Sequence, residues 1–434
     1  MARVPTNPDH SKARVYFRRI LSFTSSNEEA VVVAVIHLVD SAVPFVPILN
    51  EKFEVLAFLG KPSSIQEPAR AHLSAALPEK QYLLRKIEFR NQPGKLFSEV
   101  LAPLPPGSPP KRVVLLDIGG YFAPSAAGLE AVRDAIGHRG YTLAGIVEDT
   151  QNGHKRYRSA LAGLSSTADF RVYSVAESPL KKPENHLVGV AVTFSIEAIL
   201  RQSNLVLQSR RAGVIGFGPI GRSVAHSLRN RGISVSVCEI DPIRLAQAAA
   251  QGFRVFHFDQ HFEEFAKDLN LVVSATGAGA GGLSRPLNKD TIRLLRRGTF
   301  VASVTSQDDE IDLEDIRNYY DSTPLSFNND VEKWILNEEQ RKSEQGSMRL
   351  ADSSNSPSFY LMLGGNAVNF RHEGVIGPAI QLLQGEILAC IGEILRATCP
   401  LDNQVHELHD DARKAVASAW LDQYLVDSAV SELD

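Results

Sequence analysis

Cysteine is nearly absent. Cys238, Cys390 and Cys399 are the three in 434 residues, and no two form a CxxC pair. Neither a disulfide framework nor a structural zinc site is expected. His154, His186 and His372 have no ligand spacing, so no metal is expected. An excess of one charge is also lacking. Lys and Arg total 46 against 50 for Asp and Glu, a formal charge of −4. That balance argues against a nucleic-acid partner, and no basic face rich in aromatics is present. Long hydrophobic runs are missing as well. The longest, Ala30 to Val39, is about half a membrane span and contains His37. The basic start (Arg3, Lys12, Arg14, Arg18, Arg19) has no signal-type apolar core behind it. It reads as a solvated arm, and the chain as a cytoplasmic protein without a membrane partner.

What is present is ordinary globular composition, with 44% hydrophobic and 22% charged residues. At roughly 100–200 residues per domain the length implies two or three domains. Val31 to Ile36 is a buried strand or a core helix, and the run alone does not decide. Phe53 to Leu59 reads as a strand stopped by Gly60-Lys61-Pro62, and Ile65 to Leu77 as a helix. Five prolines between Leu101 and Pro110 make that stretch a connector. Arg112 to Asp117, Ser125 to His138 and Leu143 to Asp149 then read strand, helix, strand, a parallel α/β layer. Asp117 and Asp149 fall at strand ends, where open sheets bind ligands; the plainer alternative is capping or turn formation. Gly189 to Leu207 reads as a helix with Val190, Phe194, Ile196, Ile199 and Leu200 on its apolar face.

The strongest signal follows. Ala212 to Ile215 is a short strand. Gly216-Phe217-Gly218-Pro219-Ile220-Gly221 is a glycine turn, Arg222 to Arg231 a helix, and Ile233 to Val237 a strand leading to Glu239. Gly216 allows a tight turn, Gly218 lets backbone approach a pyrophosphate, and Gly221 lets helix and strand pack closely. The helix N-terminus offers unpaired N–H groups to phosphate. Glu239 stands about twenty residues after Gly218, where a carboxylate accepts from a ribose diol and repels a 2′-phosphate. The unit therefore predicts NAD over NADP, a preference that nearby Arg244 weakens. Gly252 to Phe256, Leu271 to Gly277 and Gly298 to Val304 read as further strands, with a small-residue turn at 278–282. Residues 313–360 are polar and read as an exposed excursion. Gln381 to Ala397 and about Asp402 to Val430 read as helices.

These residues resemble the S-adenosyl-L-homocysteine hydrolase family. Its GYGxVGKG and TEIDPI blocks are matched by Gly216 to Ser223 and by Glu239-Ile240-Asp241-Pro242-Ile243. In the same order, Leu116 to Gly120 resembles LDDGGD, Glu148 to His154 resembles EETTTGVH, and Ser178 to Lys181 resembles SVTK. Glu310-Ile311-Asp312 matches EID, and Gly365 to Asn369 resembles GRLVN. The resemblance spans about residues 112–390. It implies a Rossmann NAD-binding domain (188–372) inserted into a flavodoxin-like α/β substrate domain (1–187, completed by about 375–400), with a C-terminal helical tail (400–434). It also implies a homodimer or higher homo-oligomer, with 381–397 as the helix that supports dimerisation, and a place in one-carbon metabolism. It places Thr150, Gln151, Asn152, Thr276, Gly277, Ser306 and Asn369 beside the cofactor, joining Gly216, Gly218, Pro219, Ile220, Gly221, Glu239 and Arg244.

Lys181 falls on the family's catalytic lysine, and Asp149 stands where the family has a glutamate. With His186 these are the expected catalytic residues; desolvation is expected to lower the Lys181 pKa and make it a base. The rest of the set departs. The aspartate of LDDGGD is Ile118, an aspartate–asparagine pair is Asn185-His186, a cysteine is Val190, and one histidine is Ser306. Gly374 to Pro378 replaces the MGHPS histidine, the HMT histidine has no counterpart, and Ser431 to Asp434 lacks the family's C-terminal lysine and tyrosines. Losing several members of a set that acts together should abolish the parent reaction. The expectation is an NAD-binding relative with a rebuilt site for a nucleoside-like small molecule. Its alternatives are a non-catalytic NAD or nucleotide sensor or scaffold, and a 2-hydroxyacid dehydrogenase. The last needs an arginine that Ser303 to Gln307 lacks.

Overall fold

The computed structural model describes residues 8–23, 30–83, 92, 94–165, 170–277, 284–305, 307–326, 328–340, 357–372, 374, 376–396, 398 and 400–425. The turn at 278–282, Ser306, the serine run 353–356, Val375 and Cys399 lie outside them. The chain divides into two compact units, Met1–Glu184 with Gly377–Asp434, and Asn185–Ile376.

The first unit is a parallel sheet of β1 (Ala30–Leu38), β2 (Glu54–Ile65), β3 (Gln81–Leu83), β4 (Arg112–Asp117), β5 (Thr142–Glu148), β6 (Val172–Ser174) and a two-residue strand, Val405–His406. From one edge the order is Val405–His406, β6, β5, β4, β1, β2, β3. Leaving aside the short β3 edge and Val405–His406, this is the flavodoxin-like order 2-1-3-4-5, and the chain reverses direction of travel between β1 and β4. The Val31–Ile36 run is a strand. Val32, Ala34 and Ile36 enter one core and Val31, Val33 and Val35 the other, so both faces are apolar and no alternation shows in sequence. The turn expected at Gly60-Lys61-Pro62 is not a stop. Gly60 pairs with Ile36 and Ile65 with Leu38, so residues 61–64 bulge out of a continuing strand. Among the described residues β3 pairs with β2 as far as Gly60.

Helix Ala379–Leu395 is buried from Gln381 through Leu395, with Leu388, Ile391 and Ile394 in the core of its own unit. This corrects the reading of that helix as a dimerisation face, because no side of it is left exposed. The C-terminal segment begins with strand Val405–His406 and only then forms helix Asp410–Leu425. Arg413 ties this helix down through Glu386 at 2.9 Å and Glu407 at 2.9 Å.

The second unit contains β7 (Arg211–Ile215), β8 (Ser234–Glu239), β9 (Arg254–His257), β10 (Leu271–Ser274), β11 (Thr299–Ser303), β12 (Tyr320–Leu325), β13 (Asn328–Leu336) and β14 (Ser358–Met362). The sheet order is β12-β13-β14-β11-β10-β7-β8-β9. Its parallel part therefore has the doubly wound order 3-2-1-4-5-6 of dinucleotide-binding domains. Within the excursion expected at 313–360, β12 and β13 form an antiparallel pair that extends this sheet, β12 being largely exposed; residues 341–356 lie outside the described ones. Val331, Trp334 and Leu336 are buried while charged neighbours such as Glu332 and Lys333 break the apolar pattern. The helix read from Gly189 begins earlier and spans Lys182–Gln202. Val192, Ile196, Ile199 and Leu200 form its buried face, and Phe194 is 53% exposed.

Candidate functional site

The glycine turn of the second unit has its three demands written in distances. Gly216 has φ +91, and a Cβ there would lie 2.8 Å from the Ala275 carbonyl oxygen. A Cβ on Gly221 would lie 2.2 Å from the Gly216 oxygen. Gly218 differs. Its backbone is extended, and a Cβ would enter open space with only Arg244 Nη1 nearby, at 3.5 Å. It caps helix Pro219–Asn230 without a side-chain acceptor, and Pro219 has no N–H to satisfy. The first-turn donors of Ile220 and Gly221 are thus left for an anion.

Two buried glutamates shape the loops on either side. Glu239 accepts from Phe217 N at 2.6 Å, Ile240 N at 2.8 Å and Asp241 N at 3.0 Å. A carboxylate has about four acceptor sites, which leaves about one for a ribose hydroxyl. Ile240 and Ile243 beside it are exposed. Glu310, fully buried, gathers the hydroxyls of Ser274, Thr276 and Thr305 and the N–H groups of Thr276 and Gly277, all at 2.5–3.1 Å. The donors of Thr276 and Gly277 are therefore turned toward protein. Sequence matching gives Glu310 no role; only the fold shows that it fixes the loop after β10.

Asn369 lies on the turn Val368–His372, next to Ala367, which bridges to Ser303 at the end of β11. It is 5% exposed, and its Oδ1 is buried with no hydrogen-bond partner among the described residues. An orphaned acceptor at this place and an open Gly218 cradle fit a dinucleotide laid along the ends of β8, β7, β10 and β11. Ser306 lies outside the described residues. His186 is exposed, its carbonyl accepts from Ser223 Oγ at 2.6 Å, and it belongs to the second unit.

Lys181 and Asp149 both belong to the first unit and touch. Asp149 follows β5. Lys181 ends a short turn, Pro179–Lys181, opened by Ser178, whose Oγ accepts from Leu180 N. Lys181 is 7% exposed, with Nζ 2.7 Å from Asp149 Oδ1 and 3.6 Å from Glu184 Oε2. Burial alone would lower its pKa, but Asp149 and Glu184 outweigh that and hold it above the ordinary lysine value. This corrects the expectation of a lysine poised as a base: the resting group is an ammonium.

The structure adds residues that the sequence does not reveal. His37 is the penultimate residue of β1, with Nδ1 2.5 Å from Ser64 Oγ. Burial, then the charges of Lys61 and Lys181, push its pKa well below the usual histidine value, so it is neutral. The bulge at 61–64 places Lys61, 8% exposed, over the Tyr121 ring at 5.7 Å. The only signal in sequence is a histidine inside an apolar run. Thr150, read as a cofactor contact, caps helix Gln151–Ala162 by accepting from Gly153 N, and Gln151 donates to the Ala176 carbonyl at 3.2 Å. Asn152 stands in the same first turn. Asp117 accepts from Phe122 N and Tyr157 Oη.

Residues 191–352 match the family model described as S-adenosyl-L-homocysteine hydrolase, NAD binding domain. The chain is also similar to solved structures of a dipicolinate synthase component from Bacillus halodurans and the pyruvate reductase of Chlamydomonas reinhardtii. The first is 13% identical, covers 68% of this chain and 88% of its own, and has a TM-score of 0.41. The second is 12% identical, covers 86% and 98%, and has a TM-score of 0.41. With the glycine turn, its acid and the strand order in place, residues 191–352 are an NAD-binding domain similar to that of S-adenosyl-L-homocysteine hydrolase.

Proposed function

We propose that this chain is an NAD-dependent enzyme that acts at a hydroxyl-bearing carbon of a small, nucleoside-like molecule, and that it does not hydrolyse S-adenosylhomocysteine. The observation that carries the reading is the buried Lys181–Asp149 contact in a chain that also holds an NAD-binding domain. In the second unit Gly216, Gly218, Pro219, Ile220 and Gly221 would hold the pyrophosphate, Glu239 the ribose diol and Asn369 Oδ1 an amide N–H. Bound NAD supplies a hydride acceptor. In the first unit Asp149 can accept from a substrate hydroxyl while the Lys181 ammonium donates to the same oxygen. The proton of that hydroxyl would pass to the Asp149 carboxylate.

Incubating NAD-loaded protein with adenosine-type nucleosides and following absorbance of bound NADH tests the reading. Lys181→Met is expected to retain NAD binding and to lose about a hundredfold or more in the rate of cofactor reduction. Lys182→Met, an exposed neighbour, is expected to react as wild type. Equal rates for Lys181→Met and wild type would remove Lys181 from the chemistry. Cofactor that no nucleoside reduces, but whose occupancy a nucleotide or protein partner changes, would replace the enzyme with a sensor.

The parent reaction is a separate expectation. Ile118, packed against the apolar core, cannot move a proton, and Ser306 is a far poorer acid or base than histidine near neutral pH. Thiol release from S-adenosylhomocysteine by NAD-loaded protein is expected to stay far below about 1 per second. Turnover at that level would show that other residues have taken over these roles.

A further inference from the structure

Arg244 stands in the first turn of helix Pro242–Ala250, just after the strand that ends in Glu239. An arginine at this place in a dinucleotide fold has two anions within its chemistry: a 2′-phosphate on the adenine ribose, or the pyrophosphate. The distances separate them. Nη1 lies 3.5 Å from the point where a Gly218 Cβ would be, and beyond the turn's own chain neighbours it is the one described group within 4 Å of that point. Gly218 is the residue whose missing side chain leaves room for the pyrophosphate. At the other end Nε is 3.6 Å from Asp241 Oδ2. The guanidinium thus spans from Asp241 toward the glycine turn. Asp241 is itself part exposed, at 41%, so an ion pair between them is loose and readily shared with a ligand.

We infer that Arg244 closes over the pyrophosphate of the bound dinucleotide and does not read a 2′-phosphate. The inference rests on the reading of Gly216 to Gly221 as the dinucleotide cradle. It changes what Arg244 does to specificity. The Glu239 carboxylate, fixed by three backbone amides, still repels a 2′-phosphate, and Arg244 does not offset it. Arg244 adds affinity to every ligand that carries a pyrophosphate, whether or not a 2′-phosphate is present. The side chain is 47% exposed, so the contact is also weakened by salt.

Calorimetric titration of wild type, Arg244→Ala and Arg244→Gln with NADH, ADP, 2′-AMP and adenosine tests this. The site is at the surface, so unchanged thermal unfolding serves as the folding control. NADH and ADP are expected to weaken about tenfold to a hundredfold in both variants, as for loss of a charged hydrogen bond. Adenosine and 2′-AMP are expected to bind as to wild type, and the NADH deficit to shrink at high salt. Selective weakening of 2′-AMP, with NADH and ADP unchanged, overturns the inference in favour of a 2′-phosphate reader. No change with any ligand overturns it in favour of a surface arginine. A wild type that binds neither NADH nor ADP overturns the cradle reading, and the inference with it.

Discussion

Gly218→Val is expected to remove NAD binding while leaving the protein folded, and Gly221→Ala to damage the fold itself. The two glycines sit three residues apart in one turn, yet they are glycine for different reasons. Gly218 has φ −66 and ψ −177, a conformation any residue adopts, and its Cβ direction is open. Valine there meets no protein atom it cannot accommodate, and the change of helix cap costs at most about 1 kcal/mol. The branched side chain instead fills the space a pyrophosphate needs, so affinity should fall about a hundredfold or more. At Gly221 the added carbon would lie 2.2 Å from a backbone oxygen of Gly216, which cannot rotate away. The helix must shift off the strand, at a cost of about 1–3 kcal/mol or more. Thermal unfolding and calorimetry with NADH, run side by side, separate the cases. Gly218→Val that binds NADH as wild type does would mean the dinucleotide passes elsewhere.

That contrast shows what a sequence makes visible. The glycine turn is legible because strand, turn, helix and acid are contiguous, and each glycine answers a local demand. β7, β8, β10 and β11 fall where their apolar runs place them for the same reason. The hairpin of β12 and β13 escapes a sequence reading because one face alone is buried. Trp334 and Leu336 alternate with charged or partly exposed neighbours, and the polar average hides them. β2 reads too short, ending before Pro62, because proline usually ends a strand; only the bulge opposite His37 shows why it does not. The cluster in the first unit is less legible still. His37, Lys61, Asp149 and Lys181 come from four separate stretches of chain, and no spacing rule links them. Burial alone gives the wrong charge state for Lys181, because Asp149, which reverses it together with the neighbouring Glu184, comes from a distant stretch of chain.

One device recurs at the ends of the strands: a buried glutamate that collects backbone N–H groups of neighbouring loops. Glu239 and Glu310 do this in the second unit and Glu148 in the first. Glu148 accepts from Gly119 N at 3.0 Å, Gly120 N at 2.9 Å and Thr150 N at 2.6 Å, and a Cβ on Gly153 would lie 2.0 Å from its carboxyl carbon. The loops after β4 and β5 are thus wrapped around one carboxyl group. Fixing them this way sets where Asp149 begins, and so where the Lys181 contact forms.

The wrapping has a pH signature. Burial, and then the charge of Asp117, raise the Glu148 pKa to about 8, against the loop donors that favour the ionised form. A carboxyl group raised on folding holds its proton more tightly in the folded state. Its contribution is fully present below the unfolded pKa near 4.5 and is lost as pH rises through about 8. Between those values the loss approaches about 1.4 kcal/mol per pH unit. His37, with a lowered pKa, acts in the opposite sense below about 6.5, and Asp117, raised, acts in the same sense as Glu148. The wild-type curve therefore mixes several groups, and the difference from Glu148→Gln isolates one. Glutamine keeps an oxygen for the amides of Gly119 and Thr150. It sets a donor against Gly120 N–H, but that cost does not titrate. The chain has two tryptophans, Trp334 in the second unit and Trp420 in the first, so a Trp334→Phe background leaves Trp420 as the reporter. Denaturant unfolding followed by Trp420 fluorescence is expected to show wild type losing stability relative to Glu148→Gln as pH rises from about 5 to about 8. Parallel curves across that range would mean that Glu148 is ionised in the folded protein and that the loops are held by a charge.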